Sequence, residues 1–332
     1  MKFTRSAALV AAALLALSAC SDKGASADNA TQKEAPAAAA DKLQTKFVTI
    51  ATGGASGPYN ILGTSLGEAY AKEFSVNSKT QTTGASVENI NLIHQKKAEM
   101  AFVMSDVLSD AVNGQNSFKE KIGSVSQIAA LYPNYVQIVT SSKTGIKTLE
   151  DLRGKRVAVG AQNSGVEVNA RNLINGFGMT YQDMKVDYLG YAEAADALKS
   201  GKIDAAFLTS GLPNSSLMEL QQGFDLQIVS IPADKIGEIA KDKPYFVAMN
   251  IPKGTYGNAE DIPTAAIRNA LVVSSELSED DVYKLTKSFF ANLGVLQTAH
   301  QAAKEIDPAL AKEGFVAPMH PGAKKYFDEA AK

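Results

Sequence analysis

The chain predicts an α/β fold in two lobes joined by two crossovers, and three observations carry that expectation. A β run at 47–51 empties into the loop Thr52-Gly53-Gly54-Ala55-Ser56-Gly57 and then into an amphipathic stretch starting at Pro58. The same order returns at 155–174, where a β run passes through Ala161-Gln162-Asn163-Ser164-Gly165 into a second helix. Finally, the β run at 135–139, with its Lys143-Thr144-Gly145 turn, is echoed by the run at 245–251 and its Lys253-Gly254-Thr255 turn. Strand, tight loop and helix in repetition is the signature of a parallel sheet.

The 332 residues suffice for two domains or one large one, and 45% apolar residues allow packed cores. Net charge is −2 with both signs interspersed, which leaves no surface for a polyanion, so nucleic acid is excluded as a partner. Lys2 and Arg5 precede an apolar run at 7–17 that ends in Leu17-Ser18-Ala19-Cys20, which predicts a secretory signal over 1–19. That run is too short to cross a bilayer as a helix. Cys20, the single cysteine, ends a sequence that resembles a bacterial lipoprotein box, so a lipid on Cys20 is expected to anchor the chain to a membrane. Residues 20–45 carry Ala, Lys, Asp, Gln and Pro in no periodic order and read as a flexible tether.

In chain order, the first helix is followed by an alternating segment at 75–83 and a helix at 87–97 with Val87, Ile90 and Ile93 on one face. Thr83, Ser86 and Asn89 are its candidate caps. An apolar strand at 100–104 ends on Ser105-Asp106, and a β run at 126–140 is long for one strand. A helical turn at 147–152, a strand at 155–160 and a helix through Arg171, Leu173 and Ile174 come next, with Asn163 and Ser164 as caps. The helix at 191–199 and the strand through Ala205 to Ser210 repeat the pattern at 97–106, and Gly211-Leu212-Pro213-Asn214 opens another helix. With the runs near 135 and 245 as hinge strands, lobe 1 comprises 46–135 and 250–332, and lobe 2 comprises 136–249. The last part of lobe 1 is expected to be helical at 263–273, 280–292 and 300–311.

Matched polar loops facing each other across a cleft point to a ligand site at the carboxyl ends of the strands. Glycines admit a ligand to the backbone, and free N–H groups at a helix start favour an anion. Neither glycine loop contains Lys or Arg, so main-chain amides and hydroxyls must do the holding, with Arg171 or Lys202 as secondary candidates. Catalysis has little support: His94, His300 and His320 lack a nucleophile or metal-ligand spacing, and no metal is expected. Asp106 lies where a strand ends toward the cleft, near a ligand amine or hydroxyl or as a cap.

Four motifs in order resemble one family: 52–59, Thr83-Gly84-Ala85-Ser86-Val87-Glu88-Asn89, the stretch 188–196 and Gly211-Leu212-Pro213-Asn214. Together they are similar to the TAXI family, the solute receptors of tripartite ATP-independent periplasmic (TRAP) transporters. The resemblance runs from about 47 past Met319-His320-Pro321-Gly322-Ala323. It implies a type II periplasmic binding-protein fold, two mixed or parallel sheets flanked by helices, with no catalysis and no cofactor. It also implies delivery of a small carboxylate, with glutamate, glutamine or 2-oxoglutarate first, to a TRAP membrane permease from the periplasmic side of a bacterial membrane. Asn60 stands where relatives often carry a second aromatic residue.

On that reading Thr52, Gly53, Gly54, Ser56, Gly57 and Tyr59 contribute from the first loop, and Ser86, Asn89 and Asp106 from the neighbouring strand and helix ends. Ser164, Gly165, Glu167, Thr209 and Gly211 meet the ligand from the opposite lobe. Two alternatives stand beside it. One is a dehydratase-like enzyme on the same fold with Asp106 or Glu167 as general base; the other is a sensory ligand-binding module.

Overall fold

A computed structural model describes residues 42–331. The expected signal segment and Cys20 lie outside the described residues.

The first half of the chain alternates β1 (Phe47–Ala51), α1 (Pro58–Phe74), β2 (Asn77–Gln81), α2 (Ser86–His94), β3 (Met100–Met104) and α3 (Ser105–Asn113). In α1 the residues Leu62, Leu66 and Tyr70 recur every fourth position and are fully buried, so one stripe of the helix closes the core over β1. β1 pairs in parallel with β2 and with β3.

The 17-residue strand β4 (Val125–Ser141) follows. After it come β5 (Arg156–Ala158), α4 (Gly165–Gly176), β6 (Lys185–Asp187), α5 (Tyr191–Lys199), β7 (Ala205–Ser210), α6 (Ser215–Leu220) and β8 (Leu226–Val229). The chain then passes through α7 (Ala233–Ala240) and β9 (Val247–Ile251) into β10 (Ile262–Ser274), and ends with α8 (Glu279–Ala291), α9 (Leu293–Ala299) and α10 (Pro321–Ala330).

Two long antiparallel strands hold the lobes together. β4 pairs with β10 over Val125 to Tyr135 and with β7 over Tyr135 to Thr140. β10 pairs with β3 over Asn269 to Val273 and with β9 over Ile262 to Ala266. The order β2-β1-β3-β10-β4-β7-β5-β6 therefore runs as one mixed sheet through both lobes, with β8 and β9 as side pairings. One core packs Ile50, Leu62, Phe102, Leu271 and Phe289; another packs Val136, Val157, Leu173, Phe207 and Ile267.

The structure departs from the sequence expectation in four places. The two sheets expected are one, because β4 and β10 each extend through both lobes and join the strands on either side. Residues 263–273, expected as a helix, form β10 and supply the return crossover, while β9 at 247–251 pairs only with β10. Ala266, Ile267, Ala270, Leu271 and Val273 have a spacing that suits a helix face, but β10 is covered on both sides and carries no alternation to betray it. The expected helix at 300–311 shrinks to a 3₁₀ turn at Gln301–Glu305, because Pro308 disfavours helix for Asp307 and removes an N–H donor. The end of the expected tether is held rather than free. The N–H groups of Gln44 and Thr45 donate to the two carboxylate oxygens of Asp281 at 2.7 and 2.9 Å.

Candidate functional site

A cavity of about 530 Å³ lies between the lobes. Its wall includes Gly57, Ala85, Ser164 and Gly190, and these residues are the N-caps of α1, α2, α4 and α5. Two helices from each lobe thus direct their positive dipole ends toward one space. Strand ends bring them there, since β1 and β2 in one lobe and β5 and β6 in the other run parallel, and the four hand over to α1, α2, α4 and α5 at the same edge of the sheet.

The lobes are closed on each other. Ser215 Oγ on α6 donates to the Ser56 carbonyl at 2.6 Å, and the Glu88 N–H donates to the Asn163 carbonyl at 3.2 Å. Gly165 opens α4 directly against the first lobe: a Cβ there would sit 2.9 Å from both Met104 Sδ and Ser86 Oγ. Val168, one turn further on, packs in the same apolar cluster as Val87, Ile90 and Val103 of the first lobe.

Of the residues expected at the site, Gly53, Gly54, Ser56, Gly57, Tyr59 and Ser164 reach the cavity wall. The others lie behind it. Thr52 accepts and donates within the first lobe, its Oγ1 bonding the Gln81 carbonyl at 2.9 Å. Asn89 Nδ2 donates to the Thr52 and Phe102 carbonyls at 2.6 and 2.8 Å and so ties the ends of β1 and β3 to α2. Ser86 Oγ accepts from Met104 N at 3.1 Å. Gly211 packs on Tyr132 and Ala302, and Thr209 is buried with its Oγ1 unpartnered while its carbonyl accepts from Tyr191 Oη.

Glu167 is occupied by Arg171 Nη2 at 2.6 Å and Tyr181 Oη at 2.9 Å, which also removes Arg171 as a free cation. Lys202 is exposed and off the cavity wall. Asp106 is fully buried and accepts from Asn169 Nδ2 at 2.6 Å. Burial pushes its carboxyl up to about 7, against the pull of the Val107 N–H. The three histidines do local work: His94 Nδ1 pairs with Ser124 Oγ, while the Nδ1 atoms of His300 and His320 accept from N–H groups two residues on.

The structure adds wall residues that the sequence did not assign to the ligand. Tyr191 and Glu193 open α5, and Asn134 comes from the crossover strand β4. A signal existed for Asn134, a polar amide in the middle of an apolar β run, where such residues are uncommon. Among the described residues no Lys or Arg lines the cavity, and no three His, Cys, Asp or Glu are grouped to hold a metal.

Two α/β lobes on two shared crossover strands, closed over an interlobe cavity, define the type II periplasmic binding-protein class. Within it, the chain belongs to the NMT1-like family, which it matches over residues 50–330. Among solved structures, the binding-protein component of an ABC phosphonate transporter from Pseudomonas aeruginosa superposes with a TM-score of 0.52. It is 10% identical, over 78% of this chain and 79% of that one. A structure described as a periplasmic transporter also gives 0.52 at 15% identity, over 87% and 93% of the two chains. At such identities the likeness is one of fold, and that fold is the one used by the solute-binding components of transporters.

Proposed function

We propose that this chain is an extracytoplasmic solute receptor of the TAXI type that closes on a small carboxylate and delivers it to a TRAP permease. One observation carries the reading: four helix N-termini converge on a closed interlobe cavity that, among the described residues, no Lys or Arg lines. An anion there is held by oriented main-chain N–H groups, as the glycine loop at 53–57 requires. Glutamate, glutamine and 2-oxoglutarate are the first candidates, on the strength of the sequence motifs. The phosphonate named for the Pseudomonas aeruginosa protein is a different oxyanion that the same N–H groups suit, so methylphosphonate is the natural competitor. The enzyme alternative is weaker, because both of its candidate bases lie off the cavity wall with partners of their own.

Thermal denaturation with a panel of amino acids, keto acids, dicarboxylates and methylphosphonate tests this reading. A ligand bound at 100 times its Kd stabilises the native state by about 2.7 kcal/mol. A clear rise in Tm with a carboxylate supports the reading, and no rise with any of them ends it. The anchor is tested separately. Detergent-phase partitioning of the native protein, lost on Cys20→Ala, is the expected result.

A further inference from the structure

On the receptor reading, in which a ligand draws the lobes together, we propose that Asp106 and Asn169 form a proton-operated latch: closure takes up a proton at Asp106, and the grip on the ligand loosens as the surroundings become less acidic. The latch lies on the seam, off the cavity wall. Gly165, Val168 and Asn169 stand three and four residues apart and share one face of α4, and that face is laid against the first lobe. Hinged opening pulls it away from β3 and α3 and admits water to Asp106, and closure seals the carboxyl again.

In the closed state one hydrogen bond joins the two side chains, and each keeps a buried oxygen, Asp106 Oδ1 and Asn169 Oδ1, without a donor. Burial without donors disfavours an ionised carboxylate. The acid form relieves this, because a carboxyl group and a primary amide each offer one donor and one acceptor and can pair through two hydrogen bonds. Asp110, one turn further along α3, opposes ionisation, while the Val107 N–H favours it. Tyr59 and Tyr245 face the carboxyl with phenols that burial holds above their usual range, so both stay neutral. The charged groups on the elements packed against α3 are committed elsewhere: Glu88 to the Gly84 N–H, His94 to Ser124 Oγ, and Glu167 to Arg171. Arg268 on β10 is exposed. Burial therefore prevails, and the carboxyl is pushed up to about 7 in the closed state against about 3.9 in water. A group raised by closure strengthens closure at lower pH and ceases to do so as pH rises through that value.

Isothermal titration with L-glutamate, L-glutamine and 2-oxoglutarate, at pH 6, 7 and 8 and in buffers of different ionisation heat, tests the latch. With a probe that binds, native affinity should fall by about tenfold between pH 6 and pH 8, with uptake of about 0.9 proton per site at pH 6. Asp106→Asn keeps the shape and cannot ionise, so its affinity should hold constant with pH and its binding should take up no such proton. Comparison with that variant also removes any titration of the probe. Asp110→Asn should move the native profile to lower pH, which gives a second reading if the first variant misfolds. A flat native profile, the native slope persisting in Asp106→Asn, or a profile unmoved by Asp110→Asn overturns the latch and leaves the receptor reading intact. Failure of every carboxylate to bind overturns the receptor reading instead, and small-angle scattering without ligand then decides the latch. The radius of gyration of the native chain should grow from pH 6 to pH 8 while that of Asp106→Asn holds, and an unchanging native radius overturns the proposal.

Discussion

Asp106 at the start of α3 and Asn169 on α4 meet across the seam between the lobes, Asn169 Nδ2 donating to Asp106 Oδ2 at 2.6 Å. Both are fully buried, and the Oδ1 of each is unpartnered. Two orphan acceptors on one contacting pair leave the ionised acid with nothing to offer its neighbour. A proton on Asp106 converts one acceptor into a donor.

This pair gives the closed state a pH dependence. The carboxyl titrates near 3.9 when solvated and is pushed up to about 7 here by burial, with Asp110 adding to the rise. A raised carboxyl binds a proton more tightly in the native state, so its stabilising contribution is complete below about pH 4 and is lost as pH rises through about 7. Tyr245 is the other titratable group that faces it from lobe 2. His300 and His320, held below the usual histidine range by burial, work in the opposite direction. The Tm difference between Asp106→Asn and the native chain isolates the effect. It should favour the variant progressively from pH 5 to pH 8, and a pH-independent difference would refute the linkage.

Gly165 controls how closely the lobes approach. Gly165→Val places side-chain atoms where Met104 Sδ and Ser86 Oγ now lie, so closure is obstructed while each lobe keeps its own core. Ligand affinity should fall by at least about tenfold, equivalent to 1.4 kcal/mol, and Tm in the absence of ligand should fall too, because the seam packs Val168 against Val87, Ile90 and Val103. Titration calorimetry checks the first and scanning calorimetry the second. Unaltered affinity would mean that the seam is not the closing surface.

Asp281 fastens the start of the described chain to α8. Asp281→Ala leaves the Gln44 and Thr45 N–H groups to water in place of their acceptor, at a cost of about 0.5–1.5 kcal/mol. The expected signature is a lower urea midpoint together with faster proteolytic cleavage near residue 45. Loss of stability without that cleavage would place the effect elsewhere in α8.

Ser164 shows how far local chemistry reads directly. Its side chain accepts the Glu167 N–H at 3.0 Å, the capping that a Ser before an apolar-periodic run predicts. Asn89 shows the limit. It sits at the expected helix start, yet its amide is spent on the carbonyls of Thr52 and Phe102, because the ends of β1 and β3 are brought beside α2. Nothing in the sequence around Asn89 specifies those partners.

The amino-acid sequence by itself determined the α/β class, the glycine loop before α1, the strands β3 and β7 and the capped start of α4, since each follows from neighbours within a few residues. The tertiary structure alone decided that 263–273 is the returning strand, that Asp106 faces Asn169, and that Asn134 reaches the cavity. These depend on which segments lie side by side, and burial on two faces erases the periodicity from which such neighbours might be inferred.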